Sequence, residues 1–319
     1  MTTTRPAHAL HPHIAERIRE FPKKPGEPIT VEDFQVFVRP YGPLEEWELT
    51  IEDREIPGPT PARIPVRVYT PDGQPAAPRP CLVWMHGGAW VGGDIDMPEA
   101  HEAARSVAGR ADAVVVSVDY RLCGGEVHYP APLDDVVTAY RWVRDNAASL
   151  GIDPARIALG GASAGANLAA GASLRLRDAG ETPWQALLIY PLLHAPLPEP
   201  SDELAAALAE LPHPFQMFTQ NMDQVFPGYL GDIPIEEASP YAFPGLSKDL
   251  SDFPPTYIDN DEFDVLRASG ELFTEQLDAA GVNVEQTLAR GVVHGHLNLV
   301  GLDSATTTLD RMAARLRER

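Results

Sequence analysis

The sequence predicts an α/β fold in which helices flank a mostly parallel central sheet. Short apolar runs without polar alternation recur along the chain, and such runs are typical of strands buried on both faces of a parallel sheet. The runs lie at residues 81–85, 113–118, 156–159, 186–190, 256–258 and 284–288. Amphipathic stretches separate several of them, and strands that alternate with helices indicate a doubly wound arrangement.

The N-terminal part precedes this pattern and is mostly irregular. Residues 14–21 predict a short amphipathic helix, which Pro22 ends. Residues 47–51 and 64–69 alternate apolar and polar side chains, as half-buried strands do. The proline- and glycine-rich stretch 57–59 between them predicts that the two strands form a β-hairpin.

Three helical stripes are visible in the later part of the chain. The apolar residues that form them lie within residues 133–143, 266–280 and 309–316, and Gly281 ends the second stripe. Apolar side chains at helical spacing share one face of a helix. Each of these helices is therefore expected to pack its apolar face on the sheet.

Residues 194–254 interrupt the alternation of strands and helices. The segment is rich in proline, has a helical patch at 203–210, and is too long for an ordinary connection. It also contains several aromatic residues, namely Phe215, Phe218, Phe226, Tyr229, Tyr241 and Phe243. We interpret it as an insertion that folds over the C-terminal edge of the sheet. A partly disordered loop is the alternative, and the aromatic content favours a packed lid.

The acidic composition narrows the range of partners. The chain has 46 Asp and Glu residues against 25 Lys and Arg residues, a formal net charge of −21 at pH 7. A nucleic acid would require a basic face that replaces phosphate counterions, and an anionic membrane surface would repel this chain. We therefore expect no nucleic-acid partner and no stable membrane insertion, and a neutral small-molecule substrate rather than an anionic one.

We find no targeting signal and no paired-cysteine motif in the sequence. The N-terminus lacks the apolar region of a signal peptide, and no apolar run reaches the about 18 residues that a membrane span needs. The cytoplasm is the default expectation for the compartment. Cys81 and Cys123 stand in unlike contexts, which disfavours a disulfide scaffold and a cysteine-based zinc site.

The sharpest chemical signal is the G-x-S-x-G stretch at residues 161–165, with Ser163 at its centre. It follows the apolar run that ends at Leu159 and precedes a helical stretch of small residues. In this context the motif predicts a nucleophile elbow, a tight turn that raises the serine hydroxyl above the sheet at the positive end of a helix.

A second glycine-rich element, His86-Gly87-Gly88-Ala89-Trp90, directly follows the apolar run 81–85. Such a turn at a strand end can point backbone N–H groups at a developing oxyanion. A simple tight turn would explain the same residues. The elbow further along the chain favours the oxyanion loop.

Together the two motifs resemble the hormone-sensitive-lipase-like (bacterial family IV) carboxylesterases of the α/β-hydrolase superfamily. The similarity continues through residues 118–122, 129–135, 141–143, 264–267 and 294–295, and covers roughly residues 45 to 300. It implies an α/β-hydrolase core at 46–193 and 255–319. It also implies a cap made of the N-terminal segment 1–45 and the insertion 194–254.

In such folds an acid follows the nucleophile along the chain, and a histidine follows the acid. Four carboxylates crowd the end of the strand near 256–258, and any of them could instead cap the next helix. They are Asp259, Asp261, Glu262 and Asp264. The acid of the resembled family begins a D-P-L-R stretch, which matches 264–267 with valine in place of proline. The resemblance therefore implies Asp264 as the acid.

Two histidines compete for the role of base. His294 and His296 form an H-x-H pair that could also bind a metal, but no third ligand cluster accompanies them, so we expect no metal site and no cofactor. The resembled family has H-G-F here, which implies His294 as the base. His296 then stands in place of phenylalanine, and we expect it near the wall of the substrate pocket.

The resemblance also implies the groups that stabilise the oxyanion. Their backbone N–H donors correspond to Gly88, Ala89 and Ala164, with His86 and Gly87 supporting the loop. Ala89 replaces the third glycine of the family, and it still offers its N–H if its backbone conformation is tolerated. Trp90, the next residue, is a candidate for the substrate pocket.

The expected function is hydrolysis of a carboxylic ester, short-chain or aryl, through an acyl-enzyme on Ser163. An amidase or peptidase could use the same Ser-His-Asp triad, and motifs do not separate the two reactions. A non-catalytic small-molecule binder is a third interpretation, but it usually lacks one triad residue. Family members often pair through a sheet edge, so a homodimer is compatible with the sequence.

Overall fold

A computed structural model describes residues 8–20, 35–59, 63–211, 215 and 222–318 of the chain. Its strands form one eight-stranded sheet in the order β1-β2-β4-β3-β5-β6-β7-β8. The strands are β1 (Leu49–Pro57), β2 (Arg63–Pro71), β3 (Arg79–Met85), β4 (Val114–Val118), β5 (Ile152–Ala162), β6 (Ala186–Ile189), β7 (Thr256–Phe263) and β8 (Val284–Val293).

Helices connect the strands and cover the sheet. In chain order the α-helices with assigned bounds are α1 (Pro12–Arg19), α2 (Pro98–Ala111), α3 (Ala131–Asp145), α4 (Ala147–Leu150), α5 (Ala164–Asp178), α6 (Asp202–Ala209), α7 (Phe226–Leu230), α8 (Arg267–Ala279) and α9 (Asp303–Arg317). Short 3₁₀ turns lie at Met222–Val225, Ile235–Glu237, Pro244–Leu246 and His296–Asn298. The predicted α/β architecture is confirmed.

The pairing of the strands also follows the prediction. β1 pairs with β2, and β2 with β4, in antiparallel orientation, whereas every other neighbouring pair is parallel. β1 and β2 thus form the predicted hairpin at one end of the sheet. β1 extends to Pro57, six residues beyond the predicted end at residue 51, because its register with β2 continues to Pro57↔Arg63.

Burial on both faces explains why the central strands are apolar without alternation. Alternate residues of the sheet belong to two separate apolar clusters: Val83, Val116 and Leu159 pack on one face, and Leu82, Val115 and Ala158 pack on the other. All seven residues of β3 are buried. A polar side chain on either face would lose its hydration and find no hydrogen-bond partner. The central strands therefore contain few polar residues.

One helix that the sequence did not predict covers the sheet near the site. α2 has a small-residue buried face, with Ala100, Ala104, Val107 and Ala108 almost fully buried. Alanine gives a weak apolar stripe, so the helical period is easily missed. Pro98 lies in the first turn, where its missing N–H removes no helical hydrogen bond.

The segment between β6 and β7 packs against the core where it is described. Phe226, Tyr229 and Phe243 are fully buried, and α6 buries Leu204. This favours the packed interpretation of the insertion over a loose loop. Phe218, one of the aromatic residues that suggested packing, lies outside the described residues, as do residues 1–7 and 21–34 of the N-terminal segment.

The parallel strands bring the candidate residues to one edge. His86 follows β3, Ser163 follows β5, Asp264 follows β7 and His294 follows β8. Parallel neighbouring strands end at the same side of the sheet, and this side is where ligands bind in open α/β sheets. Within the described part of the chain, every helix is too short or too polar to span a bilayer.

An ion pair between a buried carboxylate and a partly exposed arginine joins the segment after β4 to α3. Asp135 is fully buried and accepts hydrogen bonds from the backbone N–H, Nε and Nη2 of Arg121. Arg121 also donates to the carbonyl oxygen of Ala131, in the first turn of the same helix. The pair therefore fixes the chain segment that leaves the sheet between the two elements.

We expect Asp135→Ala to lower the free energy of unfolding by about 2 kcal/mol, because it leaves the Arg121 donors without their acceptor. Chemical denaturation measures the change. Asp145→Ala is the matched control, since Asp145 is exposed and pairs only with Arg144, its neighbour in the chain. Equal losses in the two variants would contradict the structural role of the Asp135–Arg121 pair.

Candidate active site

Ser163 lies in a strained turn between β5 and α5. Its backbone angles are φ 54° and ψ −117°, a region that residues with a side chain rarely adopt. A Cβ on Gly161 would lie 2.3 Å from the carbonyl carbon of Gly165, and a Cβ on Gly165 would lie 2.3 Å from the carbonyl oxygen of Met85. The turn therefore requires both glycines, and the predicted strand–turn–helix context is present.

His294 connects Ser163 to Asp264 by two hydrogen bonds. Nδ1 of His294 lies 2.6 Å from Asp264 Oδ2, and Nε2 lies 2.9 Å from Ser163 Oγ. An ionised carboxylate only accepts, so Nδ1 carries a proton, and Nε2 accepts from the serine hydroxyl when the ring is neutral. Asp264 is buried, whereas the His294 side chain is 38% exposed. The arrangement suits transfer of the serine proton to His294.

The other three carboxylates at the end of β7 have different partners. Asp261 contacts His296, and Glu262 accepts from the backbone N–H of Gly291. Asp259 accepts from Thr287 Oγ1 and Thr308 Oγ1. Of the four sequence candidates, the structure brings Asp264 to Nδ1 of His294.

The surroundings of His294 change its proton affinity. Burial lowers the pKa of the ring, but the charge and hydrogen bond of Asp264, followed by the charges of Asp261 and Glu99, outweigh it and raise the pKa to about 9. Each of these carboxylates favours the imidazolium form. The ring is thus prepared to hold a proton after taking it.

The loop after β3 has successive residues with positive φ. Gly88 has φ 114° and Ala89 has φ 51°, and the N–H groups of Val91 and Gly92 donate to the carbonyl oxygen of Gly88. Within the described ranges, no protein oxygen accepts from the N–H of Gly88, Ala89 or Ala164. Ala89 therefore adopts the left-handed backbone conformation that its position requires, despite its methyl group.

His86 and Gly87 support this loop from behind. His86 is fully buried, its ring stacks on Tyr120, and its carbonyl oxygen accepts from Tyr120 OH at 2.8 Å. The N–H of Gly87 donates to Glu99 Oε1 at 2.8 Å. A Cβ on Gly87 would lie 2.4 Å from that same oxygen. The close approach explains the glycine.

Glu99 is a site residue that sequence reasoning missed. This buried carboxylate also accepts from Tyr190 OH at 2.7 Å and from Asn298 Nδ2 at 2.9 Å. It thus links the loop after β3 to the loop after β8. No motif surrounds Glu99, so nothing in the sequence separates it from the other acidic residues.

Two residues expected in the substrate pocket have partners inside the protein. His296 is fully buried, with its ring nitrogens on Asp261 and Thr308. Trp90 is also fully buried; its ring stacks on Tyr229 with centroids 4.2 Å apart. The place of both side chains in the wall of the substrate pocket stays a prediction.

One group in the described part of the chain offers three possible metal ligands. It consists of Asp261, Asp264 and His294, whose ligand atoms lie within 4.8 Å of one another. The same residues form the Asp264–His294 and Asp261–His296 hydrogen bonds.

Comparison with known proteins adds independent information. A family model described as alpha/beta hydrolase fold matches residues 82–298. Esterase LipI of Mycobacterium tuberculosis is 34% identical over 92% of this chain and 83% of its own length. Carboxylesterase NlhH of the same species is 39% identical over 79% of this chain and 76% of its own length. An esterase from Pyrobaculum calidifontis has a structure with TM-score 0.74 and 35% identity, covering 84% of each chain.

We expect Asp264→Asn to lower the pKa of His294, because it removes the nearest carboxylate charge. NMR titration of the imidazole measures both values, and the wild-type value should exceed the ordinary 6.5. Asp145→Asn, at an exposed carboxylate that pairs with Arg144, is the control variant and should leave the His294 value unchanged. An unchanged His294 pKa in Asp264→Asn would contradict the assigned contact.

Proposed function

Since the chain belongs to the hormone-sensitive-lipase-like family of α/β hydrolases and is a carboxylic ester hydrolase, we propose that it cleaves esters through a Ser163–His294–Asp264 triad. The observation that carries this proposal is the continuous pair of hydrogen bonds from Ser163 Oγ through the imidazole to Asp264. The family establishes the reaction class, and the geometry supports the choice of these three residues.

The reaction begins when Nε2 of His294 takes the Ser163 proton as Oγ attacks the ester carbonyl carbon. Asp264 keeps the proton of the ring on Nδ1 and stabilises the imidazolium that forms. His294 then protonates the leaving alcohol as the carbon–oxygen ester bond breaks, and an acyl-enzyme remains. Water activated by His294 releases the acid and restores Ser163.

The negative charge on the carbonyl oxygen needs donors that are already in place. We assign this role to the backbone N–H groups of Gly88, Ala89 and Ala164. Gly88 and Ala89 lie in the loop after β3, and Ala164 is the first residue of α5, where the N–H has no helical partner. These donors are fixed before substrate arrives, so they favour the oxyanion over the neutral carbonyl.

The N-terminal segment and the insertion are proposed to cap the site, with the domain bounds 1–45 and 194–254. Their described parts contact each other. His8 lies 3.4 Å from Glu203 of α6, and the rings of Phe37 and Phe215 lie 5.2 Å apart. Trp90, at the end of the oxyanion loop, stacks on Tyr229 of the insertion. The cap would thus be continuous with the loop that holds the oxyanion.

The substrate is proposed to be a neutral ester, short-chain or aryl. The net charge of −21 repels anionic substrates at long range. Aromatic side chains of the insertion, among them Tyr229 and Phe243, supply apolar surroundings next to the loop after β3. No cofactor takes part in this mechanism.

We expect Ser163→Ala to abolish hydrolysis of a short-chain p-nitrophenyl ester, because the nucleophile is lost. The thermal unfolding transition should stay in place, because removing one hydroxyl group does not disturb the packing. Turnover that survives in this variant would refute the assignment. A matched p-nitroanilide measured in parallel separates esterase from amidase activity. A faster anilide reaction would favour the amidase.

Gly88→Ala should lower kcat by about 10²-fold to 10³-fold. An added Cβ would lie 2.1 Å from the carbonyl oxygen of Gly92, so the loop must move and displace its N–H donors. Gly73→Ala is the matched control, because Gly73 also has positive φ but nothing lies within 4 Å of its Cβ position. Equal losses in both variants would point to strain in general rather than to the oxyanion donors.

A further inference from the structure

A second histidine–carboxylate pair lies behind the proposed triad. His296 and Asp261 are both fully buried, and Nδ1 of His296 lies 2.5 Å from Asp261 Oδ1. The backbone N–H of His296 also donates to Asp261 Oδ2 at 3.4 Å. The reaction steps described above use neither residue, although both lie next to the groups that react.

Hydrogen bonds on the far side of the ring determine how many protons the pair holds. Thr308 Oγ1 lies 2.9 Å from His296 Nε2 and 2.5 Å from Asp259 Oδ2. The single hydroxyl proton of Thr308 is donated to the carboxylate, so Nε2 of His296 must carry a proton of its own. Nδ1 faces the Asp261 carboxylate and carries a proton as well. With both carboxylates ionised, His296 is an imidazolium whose charge balances that of Asp261. Burial raises the pKa of Asp261, and the charge and hydrogen bond of His296 oppose that rise.

The same Asp261 carboxylate lies close to His294. A carboxylate oxygen of Asp261, a carboxylate oxygen of Asp264 and a ring nitrogen of His294 all lie within 4.8 Å of one another. Tyr190 lies edge-on to both imidazoles, with ring centroids 5.1 Å from His294 and 5.4 Å from His296. Charges in this buried region act with little screening by water, so an unbalanced Asp261 would act strongly on His294.

We infer that His296 is a positioning residue for the ester hydrolysis: it neutralises Asp261 and thereby keeps the basicity of His294 within a working range. This inference rests on the proposed role of His294 as the base. Without the imidazolium, a second uncompensated carboxylate would hold the proton on His294 and would compete with Asp264 for its Nδ1–H.

The charged and titratable groups around both rings come from several elements. Those that face His294 are Asp264, Asp261, Glu99, Tyr190 and Ser163, and those that face His296 are Asp261, Asp259, Glu99, Tyr190 and Thr308. Burial lowers the pKa of His296, but Asp261 and Asp259 outweigh it and raise the pKa above its ordinary value. This direction agrees with the proton count from the hydrogen bonds.

The test is the pH dependence of kcat/KM in His296→Asn. Asparagine can still donate to Asp261 from its amide, but it has no charge, so the variant separates the charge of His296 from its hydrogen bond. The acid limb of the profile reports deprotonation of the base in the free enzyme. We expect it to move to higher pH by about one unit, because the Asp261 charge is no longer balanced.

The control is the double variant Asp261→Asn, His296→Asn, in which the pair is neutral again. Its acid limb should coincide with that of the wild type. An acid limb that stays in place in folded His296→Asn overturns the inference. If His296→Asn does not fold, His296→Gln replaces it with the same expected displacement, and an acid limb in the wild-type position in that folded variant overturns the inference.

This result is distinguishable from a failure of the proposed function. Ser163→Ala in the wild-type background reports whether turnover depends on the nucleophile at all. Turnover that survives in this variant refutes the triad. Turnover that depends on Ser163 but shows the wild-type acid limb in His296→Asn refutes only the role of His296.

Discussion

The site depends on the close approach of α5 to the end of β3. The helix can begin directly after Ser163 only because Gly165 lets its backbone lie against the carbonyl oxygens of Met85 and His86. The same contact places the loop after β3 beside Ser163, so one packing contact positions both the proposed nucleophile and the proposed N–H donors. The strained backbone of Ser163, about 1–3 kcal/mol in such cases, is offset by the buried strand and helix on either side.

Buried carboxylates form the second layer of the site, and each has separate partners. Asp264 serves His294, and Asp261 serves His296. Glu99 accepts from Gly87, Tyr190 and Asn298, so it couples the loop after β3 to the loop after β8. Carboxylates this close together in a buried region would repel one another if left unpaired. Their hydrogen bonds therefore hold the two loops and also distribute negative charge around the base.

Much of the fold could be predicted from the sequence, because strands that are buried on both faces contain few polar residues and can be recognised by that composition. The central strands were found in this way, whereas the hairpin was found from its apolar–polar alternation and the proline- and glycine-rich stretch between its strands. α2 was not found, because its buried face is made mostly of alanine and contrasts little with its exposed face. The contacts of Glu99 and the burial of His296 and Trp90 could not be predicted either. Contacts between residues distant in sequence decide where these side chains point.

The choice among the four carboxylates of β7 shows where local sequence reasoning ends. Alternation along the strand places Asp259 and Asp261 on the face that carries Tyr257, where they meet Thr308 of α9 and His296. The register of β7 with β8 shifts between Asp261 and Phe263, and Asp264 follows the end of the strand. Alternation along β7 continues to Phe263, which packs in the same cluster as Tyr257. β8 advances four residues, from Ala289 to Val293, while β7 advances two, from Asp261 to Phe263. The extra residues in β8 therefore bring His294 level with Asp264, and the residues of β7 alone do not reveal this.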